Sequence, residues 1–303
     1  MKDKFLIVIA GPTAVGKTKI AIELAKYFNT VILSADSRQI YKELKIGTAR
    51  PTEDELKQAK HFFIANKSIF EYYNASKYEQ EAIELLKNLY EKYDKIILAG
   101  GSGLYINALL YGIDDLPEIN LSLRKQLISE YENFGLQHIR DRLKKLDPEY
   151  YNKVDLNNPK RILKALEVSI QTGKPYSSFL TGTPKKRFFK TIKIALNLPR
   201  EQLYSKINKR VDLMIEQGLI KEAYELYPHR ELTPLKTVGY RELFDFFEGK
   251  ISKNKAIEKI KSNTRAYARK QISWFKRDNY NWFSPEQLSE IIKFIEKETG
   301  KKT

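Results

Sequence analysis

The 303-residue chain contains no cysteine. That excludes disulfides, cysteine-ligated zinc and a thiol nucleophile together, and it fits a reducing compartment. Histidine is scarce too: His61, His138 and His229 are the whole set, and their spacing suits no metal. No apolar run approaches the ~18 residues needed to span a membrane. The opening MKDKFLIVIAG pairs a charged start with a short apolar run, as a secretory signal does, yet it leads into a glycine motif rather than a small-residue cleavage site. A cytoplasmic protein is expected. Repeats and low-complexity linkers are also missing.

Acidic residues are in the minority, 38 against 54 Lys and Arg, for a formal charge of +16. The remainder is an ordinary globular balance, 42% hydrophobic and 30% charged. At roughly 150 residues per domain, about two domains are expected. A strongly basic chain points to a polyanionic partner such as nucleic acid. The excess is uneven: residues 121–190 hold 15 basic and 7 acidic residues, a net of +8.

Phe5–Ala10 is a continuous apolar run ended by glycine, the pattern of a strand buried on both faces. Ile20, Leu24 and Phe28, with Ala21 and Ala25, then mark a helix face. Further strands are predicted at 31–33, 95–99, 191–196 and 280–283. Alternation of strand and helix implies a parallel α/β sheet. Between about 118 and 187 only helices are legible, with one stripe through Leu136, Ile139, Leu143 and Leu146 and another through Ile162, Leu163, Leu166 and Ile170. The expected architecture is therefore a P-loop NTPase-like parallel sheet flanked by helices, formed by 1–117 and 188–303, with an all-helical domain inserted at 118–187.

Gly11-Pro12-Thr13-Ala14-Val15-Gly16-Lys17-Thr18 matches GxxxxGK[ST] between a predicted strand and a predicted helix. Glycines let the backbone curl so that its N–H groups point inward, and the helix N-terminus adds partial positive charge. Lys17 contributes a full charge, and the Thr18 hydroxyl can ligate Mg2+. The pattern specifies a polyphosphate, not ATP in particular. The strand at 95–99 ends in glycines where an acidic magnesium ligand is usual, and Asp36, ending the second strand, could serve as that ligand or in another role.

The stretches Asp36-Ser37-Arg38-Gln39-Ile40-Tyr41 and Ile46-Gly47-Thr48-Ala49-Arg50-Pro51 resemble the signature of the tRNA dimethylallyltransferase (tRNA isopentenyltransferase) family. So do Gly100–Tyr105, Leu146–Pro148, Asn158–Glu167, Arg210–Met214, Val238–Tyr240 and Tyr267–Gln271 with Trp274-Phe275, in order along nearly the whole chain. Ser102 stands where Thr is usual and keeps the hydroxyl; Arg38 stands where Met is frequent. With no cysteine for a C-terminal zinc finger, the chain looks like a compact bacterial-type member.

The resemblance implies transfer of a dimethylallyl group from dimethylallyl diphosphate to the adenosine beside the anticodon of tRNA. Residues 11–18 would hold the diphosphate, with Thr13, Lys17 and Thr18 on its oxygens or on Mg2+, the metal on Thr18; Thr13 counts among the catalytic residues with Asp36 and Arg210, the last a second diphosphate contact. Without the resemblance, Arg210 reads as a solvated helix residue. Fixed cations near a leaving diphosphate lower the barrier to its departure. Asp36 would be the general base that takes a proton from the adenine amino group. Ser37, Arg38, Gln39 and Ser102 would contact the base and its neighbours, which must leave the stack to be reached. Arg124, Lys160, Arg161, Ile162, Leu163 and Lys164 in the insert match the RNA-contact stretch. Residues 259–277 carry seven basic and no acidic residues, among them Arg269 and Lys270, interleaved with Tyr267, Trp274 and Phe275, which suits phosphate contact and base stacking. A monomer is expected.

Two other enzymes would use the same loop. A nucleoside or nucleotide kinase explains the loop and the sheet but not the basic insert. An adenylate isopentenyltransferase acting on free nucleotide would need no grip on RNA. An RNA-binding protein without catalysis would need neither the loop nor Asp36 and Arg210.

Overall fold

The computed structural model describes residues 3–118 and 120–300. Among them the chain forms, in order, β1 (Phe5–Ala10), α1 (Lys17–Tyr27), β2 (Ile32–Ser34), α2 (Glu53–Gln58), β3 (His61–Phe62), α3 (Ala75–Leu89), β4 (Lys95–Gly100) and α4 (Gly103–Tyr111). Then come α5 (Leu121–Leu146), α6 (Pro148–Lys153), α7 (Pro159–Thr172), β5 (Lys190–Leu196), α8 (Arg200–Glu216) and α9 (Leu219–Leu226). The chain ends on α10 (Tyr240–Phe247), α11 (Lys253–Phe275), β6 (Asn281–Phe283) and α12 (Leu288–Glu298).

The strands make one sheet in the order β3-β2-β4-β1-β5-β6, and every pairing is parallel. This is the P-loop NTPase-like arrangement. Strand β1 lies between β4 and β5, and all six of its residues are buried, which is why it reads as an unbroken apolar run. Ile7 and Ile9 pack with Ile20, Leu24 and Ala25 of α1 and with Ile291 and Ile295 of α12 in one core. Parallel pairing sets Ala10 opposite Gly100 and Ala195, and Ser34 opposite Ala99. The loops leaving β1, β2 and β4 therefore emerge at one edge, the carboxyl edge where open α/β sheets bind ligands.

Two compact units are present: Met1–Tyr111 with Lys186–Thr303, and Gly112–Lys185. The second begins six residues before the expected 118 and ends two before 187. The difference has a local cause. Residues 112–118 form neither helix nor strand, and they are held by the end of their own unit: Thr181 N–H and hydroxyl donate to Asp114 at 2.9 and 2.6 Å, and Lys185 pairs with Asp115 at 2.8 Å.

In the helical unit Leu127, Ile139 and Leu143 of α5 pack on Ile162, Ala165 and Leu166 of α7. Helix α5 kinks at Gly135, where φ is 78° and ψ is −177°, a conformation closed to residues with a Cβ. Helix α7 begins at Pro159 behind Asn158, whose side chain accepts from Arg161 N–H, and stops at Gly173 in the left-handed conformation. Asp147 organises the junction. It is fully buried, caps α6 by accepting from Tyr150 N–H at 2.9 Å, and takes the Ser177 N–H and hydroxyl at 2.6 and 2.8 Å.

Asp147→Ala removes a cap and leaves three donors without a partner, which should cost the helical unit about 2–4 kcal/mol. Hydrogen exchange of amides in α6 and α7 should accelerate roughly 30- to 1000-fold by that linkage. Unchanged protection would show that Asp147 does not hold the junction.

Candidate active site

The phosphate loop leaves β1 at Ala10 and enters α1 at Lys17. Ala14 at φ 65° and Gly16 at φ 107° turn the backbone left-handed just before the helix; glycine accommodates this at no steric cost, whereas Ala14 is strained. The turn curls the loop over the first turn of α1, and Lys17 Nζ reaches back to donate to the Pro12 carbonyl at 2.7 Å. Gly11, Pro12 and Val15 are buried beneath the curl. Thr13, Ala14, Gly16, Lys17 and Thr18 line a cavity of about 590 Å³.

Asp36–Gln39, following β2, form a second wall of that cavity, and Arg210 of α8 closes it from a third direction. Asp36 Oδ1 accepts from Arg38 N–H at 2.9 Å and Gln39 N–H at 3.2 Å. Those bonds fix the carboxylate in an Asx-type turn. Its Oδ2 accepts no hydrogen bond among the described residues. Burial pushes the Lys17 ammonium down to about 8; the Asp36 carboxylate opposes that shift and the Arg210 guanidinium adds to it. Burial also lowers Arg210, against the opposing carboxylates of Asp36 and Glu55, though a guanidinium keeps its proton under any physiological condition. Lys19 and Arg38 line the same cavity with Lys17 and Arg210, against the two carboxylates of Asp36 and Glu55, an excess of positive charge that an anionic ligand would neutralise.

Residues 44–49 hold Arg210 in place. Glu222 of α9 accepts from Lys45, Ile46 and Gly47 N–H at 3.2, 2.8 and 2.9 Å, and from the Tyr240 hydroxyl at 2.7 Å. With the loop pinned, the Thr48 carbonyl accepts from Arg210 at 3.3 Å. The Gln39 amide nitrogen donates to Thr48 and Ala49 carbonyls at 3.1 and 3.0 Å. Both its N–H groups therefore serve this loop, and its carbonyl oxygen remains for the expected contact. Glu222 carries no motif signal of its own. Gln271 sits inside the Tyr267–Gln271 motif, yet its hydrogen bonds to Thr13 N–H and the Gly101 carbonyl, each 2.8 Å, join residues far apart in sequence.

The remaining expected contacts divide. Ser102 Oγ accepts from Ser37 N–H at 2.9 Å and lies 3.2 Å from the Ser37 hydroxyl, so the two serines form one group beside Asp36. Lys160 and Arg161 are exposed. Ile162 is fully buried in the helical core and cannot touch RNA; Leu163 packs partly against the same core. Arg124 is engaged within its own unit. Its guanidinium donates to Glu167 at 2.8 and 2.7 Å, a carboxylate only 2% exposed whose burial requires a partner, and Lys164 stands 3.7 Å from the same carboxylate. On α11 Arg269 and Lys270 are exposed, with Arg269 also donating to the Tyr204 hydroxyl at 2.8 Å. The two aromatics at its end part company: Phe275 is core and Trp274 is exposed.

For Mg2+ the cavity offers the Thr18 hydroxyl and the Asp36 carboxylate, and no cluster of three or more His, Asp or Glu ligands occurs among the described residues. That set fits an ion that keeps several waters and binds mainly through substrate phosphates.

The family model for IPP transferase matches residues 39–278. The chain belongs to this family. It is 55% identical over 287 residues to the tRNA dimethylallyltransferase 2 of Azobacteroides pseudotrichonymphae, covering 94% of each chain. It is 48% identical to the tRNA dimethylallyltransferase 1 of Bacteroides fragilis, covering 98% of this chain and 99% of that one. Among solved structures, the full-length tRNA isopentenylpyrophosphate transferase of Bacillus halodurans superposes with a TM-score of 0.71 at 34% identity, covering 98% and 97%. The match to the IPP transferase family spans Asp36's turn from Gln39 onward, Arg210 and Gln271; the phosphate loop and Asp36 itself lie just ahead of it.

Lys17 carries its charge below about pH 8 and loses it above, so its help in binding an anion should fade as pH rises. Pyrophosphate affinity of the wild type should exceed that of Lys17→Met at about pH 7, and the gap should begin to narrow as pH rises above about 8, closing only beyond the higher pKa that a bound anion gives the ammonium. Comparing the two proteins cancels the ligand's own titration. A gap that stays constant over the range would show that Lys17 does not titrate there.

Proposed function

We propose that this chain transfers a dimethylallyl group from dimethylallyl diphosphate to the exocyclic amino group of the adenosine 3′-adjacent to the anticodon in tRNA. The products are isopentenyladenosine, diphosphate and a proton. The observation that carries the reading is the shared cavity: a phosphate loop with Lys17 and Thr18, the carboxylate of Asp36 and the guanidinium of Arg210 all face one space. Relatives bearing the name tRNA dimethylallyltransferase align over nearly the whole chain.

The geometry supports the following division of labour. The loop, Lys17 and Arg210 bind the diphosphate, and their charge stabilises the negative charge that grows on it as the allylic carbon–oxygen bond breaks. Thr18 would hold Mg2+, which supplies further neutralisation when bound. The Asp36 oxygen not committed to its turn accepts the amino proton as the nitrogen–carbon bond forms. Held by Arg38 and Gln39 N–H, the carboxylate need not reorganise to do so. Apolar cavity residues Ile207, Val211 and Met214 of α8 suit a five-carbon prenyl chain. RNA is gripped by Lys160 and Arg161 of the insert and by Arg269 and Lys270 of α11. The enzyme works as a monomer in the cytoplasm.

Asp36→Asn should retain stem-loop binding and lose about 10²–10⁴-fold in turnover; normal turnover would remove Asp36 as the base. The target is tested by comparing kcat/KM for an anticodon stem-loop, a linear RNA of the same sequence and AMP at one salt concentration. The stem-loop should be by far the best, since a preformed loop lowers the cost of unstacking and presents ordered phosphates. Equal values for AMP would favour the adenylate isopentenyltransferase. With about five phosphates contacted, log affinity should fall against log salt with a slope of about −3.5 to −4.5. Replacing Arg269 and Lys270 together should flatten that slope, and a salt-insensitive complex would contradict the basic grip.

A further inference from the structure

Gln271 on α11 is 6% exposed, and both ends of its amide are engaged. Its Oε1 accepts the Thr13 N–H of the phosphate loop at 2.8 Å, and its Nε2 donates to the Gly101 carbonyl after β4 at 2.8 Å. A single side chain thus ties together the loops that leave two neighbouring strands. We propose that Gln271 is a positioning residue that holds the phosphate loop in its anion-binding shape, and that it does so from the same helix that presents Arg269 and Lys270 to solvent. This rests on the reading that the loop takes a diphosphate.

Three features support it. In a phosphate loop the backbone N–H groups aim at the anion, but the Thr13 amide is committed to Gln271, so Thr13 has its side chain, not its amide, to offer the ligand. Second, the bridge leaves no slack: a Cβ at Gly101 would lie 2.3 Å from Gln271 Nε2. Third, one turn further along α11 a Cβ at Gly103 would lie 2.2 Å from Trp274 Nε1, so the helix is seated against the β4 loop at both points. A buried glutamine with a donor and an acceptor in fixed directions sets the loop's height above the sheet, and a misplacement of about 1 Å in such a site can cost 10²-fold in rate.

The test uses the full chain with Gln271→Leu, which removes both hydrogen bonds, and Gly101→Ala, which displaces the glutamine while every other side chain stays. Three readouts are needed: the Kd for inorganic pyrophosphate by calorimetry, the Kd for an anticodon stem-loop, and the kinetics of prenyl transfer. Each variant should weaken pyrophosphate binding and lower kcat/KM for dimethylallyl diphosphate about 10- to 100-fold, with stem-loop Kd within about twofold of wild type. The double variant should be no worse than Gln271→Leu alone, because both changes break one bridge. A merely structural role would weaken both ligands alike. Equal losses for the two ligands, additive losses in the double variant, or unchanged pyrophosphate affinity would each overturn the proposal. Should the leucine variant not fold, Gly101→Ala decides alone. Pyrophosphate binding is read without any prenyl transfer. A wild type that binds pyrophosphate but prenylates no RNA would therefore overturn the reaction, with the bridge judged on affinity.

Discussion

The site depends on the placement of two desolvated cations, Lys17 and Arg210, on either side of the Asp36 carboxylate in one cavity. Lys17 and Arg210 each lose solvation there, and Asp36 only partly compensates. Such an arrangement is unfavourable by itself, because a charge removed from water needs a partner. It is tolerated because the cations are held by backbone carbonyl oxygens, Pro12 of the phosphate loop for Lys17 and Thr48 of the 44–49 loop for Arg210. Those carbonyls keep the cations in place without neutralising them. The surplus charge remains available to a polyanion, and a site built in advance reorganises little when charge develops on a leaving group.

The rest of the α/β unit can be understood as support for that placement. The phosphate loop is fixed at its root by the fully buried β1 and at its crest by Gln271. The 44–49 loop, which has no regular structure of its own, is fixed by one carboxylate: Glu222 takes three consecutive backbone N–H groups and a tyrosine hydroxyl. A carboxylate can satisfy that many donors because it has about four lone-pair sites and no proton to place. Burial and the neighbouring Glu222 hold the Tyr240 phenol protonated, so it remains a donor. Local loop shape is thereby set by helices that follow it by more than 170 residues.

That distance explains what was legible in the sequence. Strands β1, β2, β4, β5 and β6 announced themselves through apolar runs and glycine turns, and the phosphate loop through its spacing. Strand β3 is two half-buried residues, too short for any periodic signal. The insert's helices were visible, but a linear motif does not say which face of a helix it occupies. Along α7 the residues at 160, 161 and 164 can share the outer face, while 162, two positions on from 160, points some 200° around the axis and into the core. Arg124 looked like a phosphate contact because its partner, Glu167, is 43 residues away. Gln39 looked like a base reader because the carbonyls that engage it belong to a loop with no pattern to predict its path.

These side-chain partners have a common consequence for the chemistry. A basic residue matched to an RNA-binding motif is counted as free charge, whereas the structure commits some of that charge to carboxylates buried in the same unit. Arg124 and Lys164 both face Glu167, so the insert's count of basic residues overstates the free cations it can offer a phosphate backbone, whereas its net charge already discounts that carboxylate. Lys160 and Arg161 stand exposed at the start of α7, where the helix N-terminus adds its own partial positive charge. The proposed RNA grip would there combine two exposed cations with a fixed dipole, while Arg124 offsets the charge of Glu167 where α7 packs against α5. Removing Arg124 would then leave the buried Glu167 carboxylate without its closest cation and act on α7 itself, whatever it also does to a bound RNA.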